Sequence, residues 1–216
     1  MHYRLIPNSF HFENLSLFNT SYRGLHMKNN TYENDVRILG GKFKGKLLPV
    51  LDVEGLRPTP SRVRETIFSW IKDSLGNAKV LDLFAGSGAL GLEAYSRGAK
   101  DLTLVELDKD NSSNLKVIAK SMSYDEIHVI NDDALHFLDN VSSTFNIVFI
   151  DPPYKLDIYE KVLEKLLDKN LIDDDSLIYV EMRNGSNKIV PGYEIIREEN
   201  AGQSKYSLWT KSKLLF

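Results

Sequence analysis

The stretch Leu81-Asp82-Leu83-Phe84-Ala85-Gly86-Ser87-Gly88-Ala89-Leu90-Gly91 passes from an apolar, strand-like segment through small residues into a helix-forming segment. Small residues in such a turn let the backbone approach a ligand closely, and the N-terminus of the following helix carries partial positive charge. Gly86, Gly88 and Gly91 have the spacing G-x-G-x-x-G of dinucleotide-binding loops, a motif of low specificity when it stands alone. The stretch therefore predicts a nucleotide-binding α/β fold without deciding which ligand it binds.

Strand-like and helical segments alternate from residue 79 onward, the pattern of a parallel sheet covered by helices on both faces. Two extended runs near the C-terminus, separated by Asn200-Ala201-Gly202, predict an antiparallel hairpin. The predicted strands are 79–84, 101–106, 127–131, 145–150 and 176–181, with 193–199 and 205–210 in the hairpin. A hairpin that closes a five-stranded parallel sheet separates methyltransferases from ordinary dinucleotide folds. We therefore predict an α/β, Rossmann-like class I methyltransferase fold with a seven-stranded, mostly parallel sheet.

The first third of the chain departs from this alternation. The N-terminal segment is rich in Asn and Ser without a sustained apolar period, which predicts a poorly ordered tail or a true start at Met27. A basic β-hairpin and a helix are expected next, with Thr59 as the helix N-cap and Pro60 as its first residue. The predicted organisation is a tail at 1–35, a basic extension at 36–75 and a methyltransferase domain at 76–216.

The composition narrows the class of protein. The chain has 216 residues and 42% hydrophobic content, enough for one buried core. No apolar stretch approaches the ~20 residues that cross a bilayer, and the N-terminus lacks a secretory pattern, so we expect a soluble, cytoplasmic protein. The absence of cysteine excludes disulfides and thiolate chemistry, and the five scattered histidines give no support for a metal site.

The net charge of −3 conceals a basic segment. Residues 36–64 carry seven basic and two acidic side chains, a net charge of +5, which leaves −8 for the rest of the chain. A phosphate backbone is attracted to such a segment and repelled elsewhere, which favours one docking face for nucleic acid. A solvated basic strand without a partner is the alternative. The basic residues are Arg37, Lys42, Lys44, Lys46, Arg57, Arg62 and Arg64.

Three acidic residues at predicted strand ends distinguish between cofactors. Glu106 suits the ribose hydroxyls of either a nicotinamide or an adenosyl cofactor. Asp82 is placed to neutralise the ammonium of a methionine moiety, whereas it would repel a pyrophosphate. Asp133 suits the adenine amino group, although an N-cap role is equally consistent with its position. Together they predict S-adenosylmethionine, bound by Asp82, Phe84, Ala85, Gly86, Ser87, Gly88, Glu106, Leu107, Asp133 and Ala134.

The tetrad Asp151-Pro152-Pro153-Tyr154 follows a predicted strand and projects from the carboxyl edge of the sheet, where open α/β folds bind ligands. The exocyclic amine of a nucleobase is a poor nucleophile because its lone pair is delocalised into the ring. Two acceptors, the Asp151 carboxylate and the Pro152 carbonyl, can aim that lone pair out of the ring plane, and Tyr154 offers a face for stacking. We predict that Asp151, Pro152, Pro153 and Tyr154 are catalytic and that an amino nitrogen is methylated, with the proton acceptor left open.

From Arg37 to about Thr210 the chain resembles the RsmD family of bacterial small-subunit rRNA guanine-N2 methyltransferases. Besides the glycine loop and the tetrad, the likeness includes Arg37-Ile38-Leu39-Gly40-Gly41, Gly55-Leu56-Arg57-Pro58-Thr59, Arg62-Val63-Arg64-Glu65-Thr66, Ile178-Tyr179-Val180-Glu181 and Ala201-Gly202-Gln203. The resemblance implies methyl transfer to the N2 amine of one guanine in 16S rRNA, within a 30S subunit or an assembly particle, by a cytoplasmic monomer. The segment before Arg37 departs from the family.

The RNA side of the site is predicted from the residues alone. A guanine in folded RNA must be unstacked to reach Tyr154, and the basic segment suits the phosphates around a loop. We expect Arg37, Arg57 and Arg62 to contact the substrate together with Tyr154, the alternative being ion pairs within the fold.

Other interpretations remain open. An adenine-N6 DNA methyltransferase would use the same geometry, but such enzymes usually carry an inserted domain for which the predicted strand spacing leaves no room. A glutamine-N5 methyltransferase of release factors generally has Asn at the position of Asp151. The chain is also compatible with a ribosome-assembly factor that binds S-adenosylmethionine without catalysis. A Rossmann dehydrogenase fits least well.

Overall fold

A seven-stranded sheet lies at the centre of the structure, a computed structural model that describes residues 35–51, 59–123, 125–153, 155–186 and 190–213. In chain order the strands are β1 (Val36–Arg37), β2 (Leu47–Leu48), β3 (Lys79–Asp82), β4 (Asp101–Glu106), β5 (Ile127–Asn131), β6 (Ile147–Ile150), β7 (Leu177–Arg183), β8 (Tyr193–Ala201) and β9 (Ser204–Lys211). The large sheet has the order β5-β4-β3-β6-β7-β9-β8. Strands β3 to β7 are parallel, whereas β9 is antiparallel to both β7 and β8. The predicted parallel sheet with a C-terminal hairpin is confirmed.

Helices cover both faces of this sheet. They are α1 (Ser61–Trp70), α2 (Ala89–Ser96), α3 (Lys109–Lys120), α4 (Ala134–Asn140) and α5 (Tyr159–Asp168). Phe149 and Tyr179 point into a hydrophobic core under α1, α2 and α3, which we name the α1 side. Val148 and Val180 point into a second core under α4 and α5, the α5 side. None of these helices has the length and apolarity that a membrane crossing requires, within the described ranges.

The basic extension begins with the predicted hairpin, in which β1 pairs antiparallel with β2. The turn after β1 packs closely on the end of α2, because Gly41 has a φ of 79° and a Cβ there would lie 1.8 Å from the carbonyl oxygen of Ser96. The Ser96 hydroxyl also donates to the carbonyl oxygen of Gly40 at 2.6 Å. Residues of the extension therefore pack directly on the α/β core. The predicted tail, residues 1–35, lies outside the described residues except for Asp35.

The predicted start of α1 is wrong by one residue. The helix begins at Ser61, and Pro60 is the N-cap with φ −56° and ψ 146°. Thr59 does not cap it, because its hydroxyl donates instead to Oδ2 of Asp151 at 3.4 Å. Two predicted strands are also longer than observed: β3 ends at Asp82, where the chain leaves the sheet for the glycine loop, and β6 begins only at Ile147.

Candidate active site

The carboxyl edge of the sheet has a switch point between β3 and β6. From β3 the chain moves outward through β4 and β5, and it then returns to β6 on the other side of β3. Loops leave the two strands in opposite directions at such a point, which opens a crevice where α/β folds bind ligands. Asp82 ends β3 and Asp151 follows β6, so the two acids predicted for different roles flank the same crevice.

The glycine loop after β3 owes its shape to backbone conformations that favour glycine. Gly86 and Gly88 have φ values of 52° and 74°, and Gly88 is the N-cap of α2. A Cβ on Gly88 would lie 2.7 Å from Cδ1 of Leu92. Gly91 has the packing role that the third glycine of this motif predicts, since a Cβ there would lie 2.5 Å from Cδ2 of Leu104 on β4. Gly91 therefore lets α2 pack closely on the sheet.

Glu106, at the end of β4, holds the glycine loop in place. Its Oε2 accepts hydrogen bonds from the backbone N–H of Gly86 at 2.9 Å and from Nδ2 of Asn111 at 3.0 Å. Its Oε1 accepts from the backbone N–H of Asp108 at 2.8 Å. Burial raises the pKa of Glu106, while these three donors lower it and favour the ionised form. The Glu106 carboxylate is therefore fixed in orientation at the predicted ribose-binding position. Sequence analysis missed Asn111, although it lies on the helix that follows this strand.

The other predicted cofactor residues lie around this acid. Ala85 and Ser87 are buried in the loop, and Phe84 is half-buried against the α5-side core. The Leu107 side chain is 68% exposed directly after Glu106, so it presents apolar surface at the edge of the crevice.

Asp133 has the N-cap role that was one of its two predicted roles. Its Oδ1 accepts from the backbone N–H groups of Leu135 at 2.9 Å and His136 at 3.1 Å, at the start of α4. Ala134 is the first residue of that helix and is buried. Because both cap bonds use Oδ1, the cap does not occupy Oδ2 of this exposed side chain. A second role in ligand binding is therefore compatible with the cap.

Asp82 is almost wholly buried, with 2% of its surface exposed. Its Oδ2 accepts a hydrogen bond from the backbone N–H of Gly91 at 2.9 Å. Burial raises the pKa of Asp82 to about 7, the Gly91 donor lowers it, and the charge of Glu106 raises it further. A nearby cation would reverse the dominant effect by favouring the charged form. The site is thus suited to a positively charged ligand group at neutral pH.

Asp151 is half-buried at the crevice, and Pro152 behind it is buried. Burial is the largest cause that raises the pKa of Asp151 well above its ordinary value, followed by the charges of Glu181 and Asp82. The hydroxyl of Thr59 is the opposing influence, because it donates to the carboxylate. When such a group is ionised, its carboxylate is a stronger base than an ordinary carboxylate. Pro153 is exposed, and Tyr154 lies outside the described residues.

Of the three arginines predicted to contact the substrate, one lies on α1, one lies on the N-terminal hairpin and one is outside the described residues. Arg62 is exposed on the first turn of α1, close in sequence to Thr59. Arg37 is exposed on the hairpin, where its Nη1 donates to the carbonyl oxygen of Gly45 at 3.1 Å. Arg57 lies outside the described residues.

Two further features of the site, besides Asn111, were missed by sequence analysis. Glu181 on β7 is 6% exposed and its charge acts on Asp151, and Oε2 of Glu181 accepts from the Tyr179 hydroxyl at 2.7 Å. Glu181 is the last residue of the predicted strand 176–181, and an acid at a predicted strand end was the available signal. The other feature is the buried ion pair of Arg64 and Glu93, 3.3 Å apart, which ties α1 to α2. No spacing rule connects two residues that far apart in the chain.

The fold and this edge define the class of protein: a Rossmann-like methyltransferase, in which a glycine loop, an acid at the end of β4 and a C-terminal hairpin occur together. Residues 36–210 match the family described as conserved hypothetical protein 95. The chain belongs to this family, and the RsmD-family membership inferred from its motifs is confirmed.

Named relatives of the chain include two small-subunit methyltransferases. Ribosomal RNA small subunit methyltransferase D of Escherichia coli K12 is 40% identical over 185 residues, which cover 85% of this chain and 93% of that protein. The protein of the same name from Haemophilus influenzae is 38% identical and covers 82% of this chain and 94% of its own length. Nearly the whole length of each relative is therefore matched.

Solved structures support the same fold. The putative methyltransferase yhhF from Escherichia coli superposes with a TM-score of 0.76 and 39% identity, covering 82% of this chain and 98% of that one. The putative methylase HI0767 from Haemophilus influenzae gives a TM-score of 0.73 and 34% identity, with coverage of 83% and 100%. The order of the seven strands is thus that of a known methyltransferase architecture.

Proposed function

We propose that the chain transfers a methyl group from S-adenosylmethionine to the exocyclic N2 amine of a specific guanine in 16S rRNA of the small ribosomal subunit. We further propose that the enzyme is a monomer, that it acts in the cytoplasm, and that its substrate is a 30S subunit or an assembly particle. The observation that carries it is that Asp151 and Pro152 follow β6 at the switch point, next to the end of β3 that carries Asp82. Relatives that match over most of the chain are named as small-subunit rRNA methyltransferases.

The residues of the crevice fit the proposed cofactor. A buried acid with a pKa of about 7, Asp82, suits the ammonium of the methionine part. Glu106 suits the ribose hydroxyls, since backbone and Asn111 donors already orient its carboxylate. Leu107 offers exposed apolar surface for the adenine ring, and Asp133 has an oxygen outside its cap for the adenine amine. A pyrophosphate would meet two carboxylates at the same place, which argues against a nicotinamide cofactor.

The chemistry of the proposed reaction follows from Asp151 and Pro152. When bound, S-adenosylmethionine supplies a methyl group activated by a sulfonium centre. The Asp151 carboxylate and the Pro152 carbonyl accept the N–H groups of the amine, so that its lone pair points out of the ring plane. As the N–C bond forms and the S–C bond breaks, positive charge grows on nitrogen, and the adjacent carboxylate stabilises it. The raised pKa of Asp151 supports its taking the proton that nitrogen then releases.

The basic extension supports RNA as the substrate class. Segment 36–64 has a net charge of +5, of which the Arg64 charge is buried in an ion pair with Glu93. The first turn of α1 carries exposed Arg62, three residues after Thr59, which contacts Asp151. Phosphates around an unstacked base would therefore meet positive charge beside the reacting carboxylate. In DNA-specific enzymes a base-reading domain usually supplies these contacts. Short connections between the described strands of the parallel sheet favour RNA over duplex DNA.

The test is methyl transfer from labelled S-adenosylmethionine to small subunits isolated from a strain that lacks this protein. We expect label in 16S rRNA, and nucleoside mass spectrometry should identify it as N2-methylguanosine at a single position. Small subunits from the parent strain are the matched control, since their target is already modified and should accept little label. Label in duplex DNA or in a release factor, with rRNA unlabelled, would overturn the proposal. A protein that binds cofactor but labels none of these substrates would point to a non-catalytic assembly factor.

A further inference from the structure

Arg64 has no part in the reaction as described, although a single residue connects it to the reacting carboxylate. Its side chain is 2% exposed. Burial lowers the pKa of Arg64 and the charge of Glu93 raises it, so the ion pair favours the charged form. Because a buried charge is unfavourable unless its donors are paired, the acceptors around Arg64 show what this side chain holds in place.

The Arg64 guanidinium donates to acceptors on four segments of the chain. Its Nε donates to the carbonyl oxygen of Thr59 at 3.2 Å, and its Nη1 donates to Oε2 of Glu93 on α2 at 3.3 Å. Its Nη2 donates to the carbonyl oxygen of Arg37 in β1 at 3.1 Å and to Oγ of Ser61 at 3.4 Å. The guanidinium plane keeps these donors in fixed directions. Arg64 therefore fixes the Thr59 carbonyl relative to β1 and α2.

The Thr59 carbonyl belongs to the peptide bond that precedes Pro60, a stiff part of the backbone. The ring of Pro60 fixes its own φ and confines the residue before it to extended conformations. The direction of the Thr59 hydroxyl therefore depends on where the Thr59 carbonyl is held. The bond from that hydroxyl to Oδ2 of Asp151 is 3.4 Å long, near the upper limit for a hydrogen bond, so a small displacement of Thr59 breaks it.

We propose that Arg64 is a positioning residue for methyl transfer, which holds Thr59 so that the threonine hydroxyl stays on the Asp151 carboxylate. Nε of Arg64 carries this role, whereas Nη1 attaches α1 to α2 through Glu93. Arg64 thus has two separable functions, one in the reaction and one in stability. This inference rests on the proposed function, since it concerns the carboxylate that holds the amine.

Two substitutions of Arg64 separate these functions, because they keep different parts of the side chain. Arg64→Lys has a methylene at the position of Nε, so it loses the donor to Thr59 and keeps a positive charge beside Glu93. Arg64→Gln has its amide group at that position, so it keeps a donor for Thr59 and loses the charge that pairs with Glu93. We therefore expect Arg64→Lys to be the more stable variant and Arg64→Gln to be the more active one.

The readout is the acid limb of the pH–rate profile, the fall in methyl transfer to small subunits at low pH. Among the described residues, the charged groups that act on Asp151 are Glu181 of β7 and Asp82 of β3, and both stay unchanged in these variants. In Arg64→Lys the acid limb should move to higher pH, because the hydroxyl of Thr59 no longer favours the ionised carboxylate. We expect kcat/KM near neutral pH to fall about fivefold and to recover at higher pH. KM for small subunits should stay constant, since Arg64 is buried away from RNA.

Arg97→Lys is the matched control, because it loses the same kind of donor at the same carboxylate. Nε of Arg97 donates to Oε1 of Glu93 at 2.7 Å, and the Arg97 side chain is 25% exposed. This variant should unfold at a lower urea concentration without moving the acid limb. A double variant, Thr59→Val with Arg64→Lys, should have the acid limb of Thr59→Val alone, because both changes remove the same hydrogen bond to Asp151.

The outcomes that contradict the inference differ from those that contradict the proposed function. An acid limb of Arg64→Lys that coincides with the wild type, or shifts that add in the double variant, would overturn the positioning role. If Arg64→Lys does not fold, Arg64→Gln decides: a shifted acid limb overturns the inference, and an unshifted limb with lower stability supports it. The proposed function fails on a separate result, a wild-type protein that places no methyl group on 16S rRNA.

Discussion

Thr59 and Asp151 are joined by a hydrogen bond of 3.4 Å, in which the threonine hydroxyl donates to Oδ2 of the carboxylate. The bond connects the segment before α1 with the loop after β6, two positions separated by 92 residues in the chain. A donor favours the ionised form of a carboxyl group and lowers its pKa, whereas burial and the charge of Glu181 raise the pKa of Asp151. Thr59 therefore helps to set the pH above which Asp151 accepts hydrogen bonds.

Replacing Thr59 by Val removes this donor and keeps the shape of the side chain. The pKa of Asp151 should rise further, so the acid limb of the pH–rate profile should move to higher pH, and kcat/KM near neutral pH should fall about fivefold. The measurement is methyl transfer to small subunits across the pH range in which the protein stays folded. Thr59→Ser, which keeps the hydroxyl, is the control and should retain the wild-type profile. An unshifted acid limb in Thr59→Val would show that the hydroxyl does not act on Asp151.

Removal of the Asp151 carboxylate should separate catalysis from cofactor binding. In Asp151→Ala the amine loses one of its two acceptors, and we expect kcat to fall at least about 100-fold. Affinity for S-adenosylhomocysteine, measured by calorimetry, should stay within a few-fold of the wild-type value, since the predicted cofactor contacts come from other strands. Asp151→Asn keeps one acceptor oxygen but no basic site, so it distinguishes orientation from proton transfer: a rate close to the wild type would exclude Asp151 as the proton acceptor.

Much of the fold was accessible from the sequence because local signals agreed with the tertiary structure. Strands β4 and β5 have the predicted bounds, since each is a short apolar run, buried in β4 and only partly buried in the edge strand β5, that is followed by polar residues. The end of β3 was less accessible. Leu83 continues the apolar pattern and is buried, yet the chain has already left the sheet at Asp82 to form the glycine loop. A hydrophobic pattern reports burial and does not report where strand pairing stops.

The parts of the site that the sequence did not reveal depend on contacts between distant residues. Thr59 is a residue type that commonly caps helices and stands at the expected position, but its hydroxyl donates to the carboxylate of Asp151, which is far along the chain. Glu181 is an acid within β7, yet only the pairing of Ile150 with Val180 shows that it lies beside Asp151. Parallel strands are joined by long crossovers, so no tight turn fixes the register between β6 and β7, and only the packed sheet shows which of their residues are neighbours.

The affinity for the cofactor should increase with pH through the pKa of Asp82. Burial holds that pKa at about 7 in the free protein, so roughly half of the molecules carry a neutral Asp82 at neutral pH. An ammonium group favours the ionised carboxylate, so binding should release a proton and strengthen as the pH rises from 6 to 8. Calorimetry with S-adenosylhomocysteine in buffers of different ionisation enthalpy measures this release. Asp82→Asn should bind more weakly and without the pH dependence, and a wild-type affinity that does not change with pH would contradict the assignment of the ammonium to Asp82.

The attachment of the extension to the core should depend on Glu93. This fully buried carboxylate accepts from the backbone N–H groups of Leu39 at 2.7 Å and Gly40 at 2.8 Å, and it pairs with Arg64. Glu93→Ala leaves the buried Arg64 guanidinium without its carboxylate partner and two N–H groups unsatisfied, so we expect the free energy of unfolding to fall by about 3–5 kcal/mol. Urea denaturation measures the change. Asp174→Ala, which loses an exposed ion pair, is the control and should unfold near the wild-type urea concentration. A similar midpoint for both variants would mean that the extension is held by other contacts.

Arg62 offers a direct test of how rRNA docks, because it is exposed in the first turn of α1, three residues after Thr59, which contacts Asp151. Arg62→Ala should raise KM for small subunits several-fold with kcat little changed, since a phosphate contact contributes to binding and not to the chemical step. The slope of log affinity against log salt should become shallower by about 0.7–1, as expected when one phosphate contact is lost. Lys161→Ala removes an equal charge from α5, on the opposite side of the sheet, and should leave both values unchanged. If the two variants lose affinity equally, the charge acts through the overall field of the protein, and the α1 side is not the docking face.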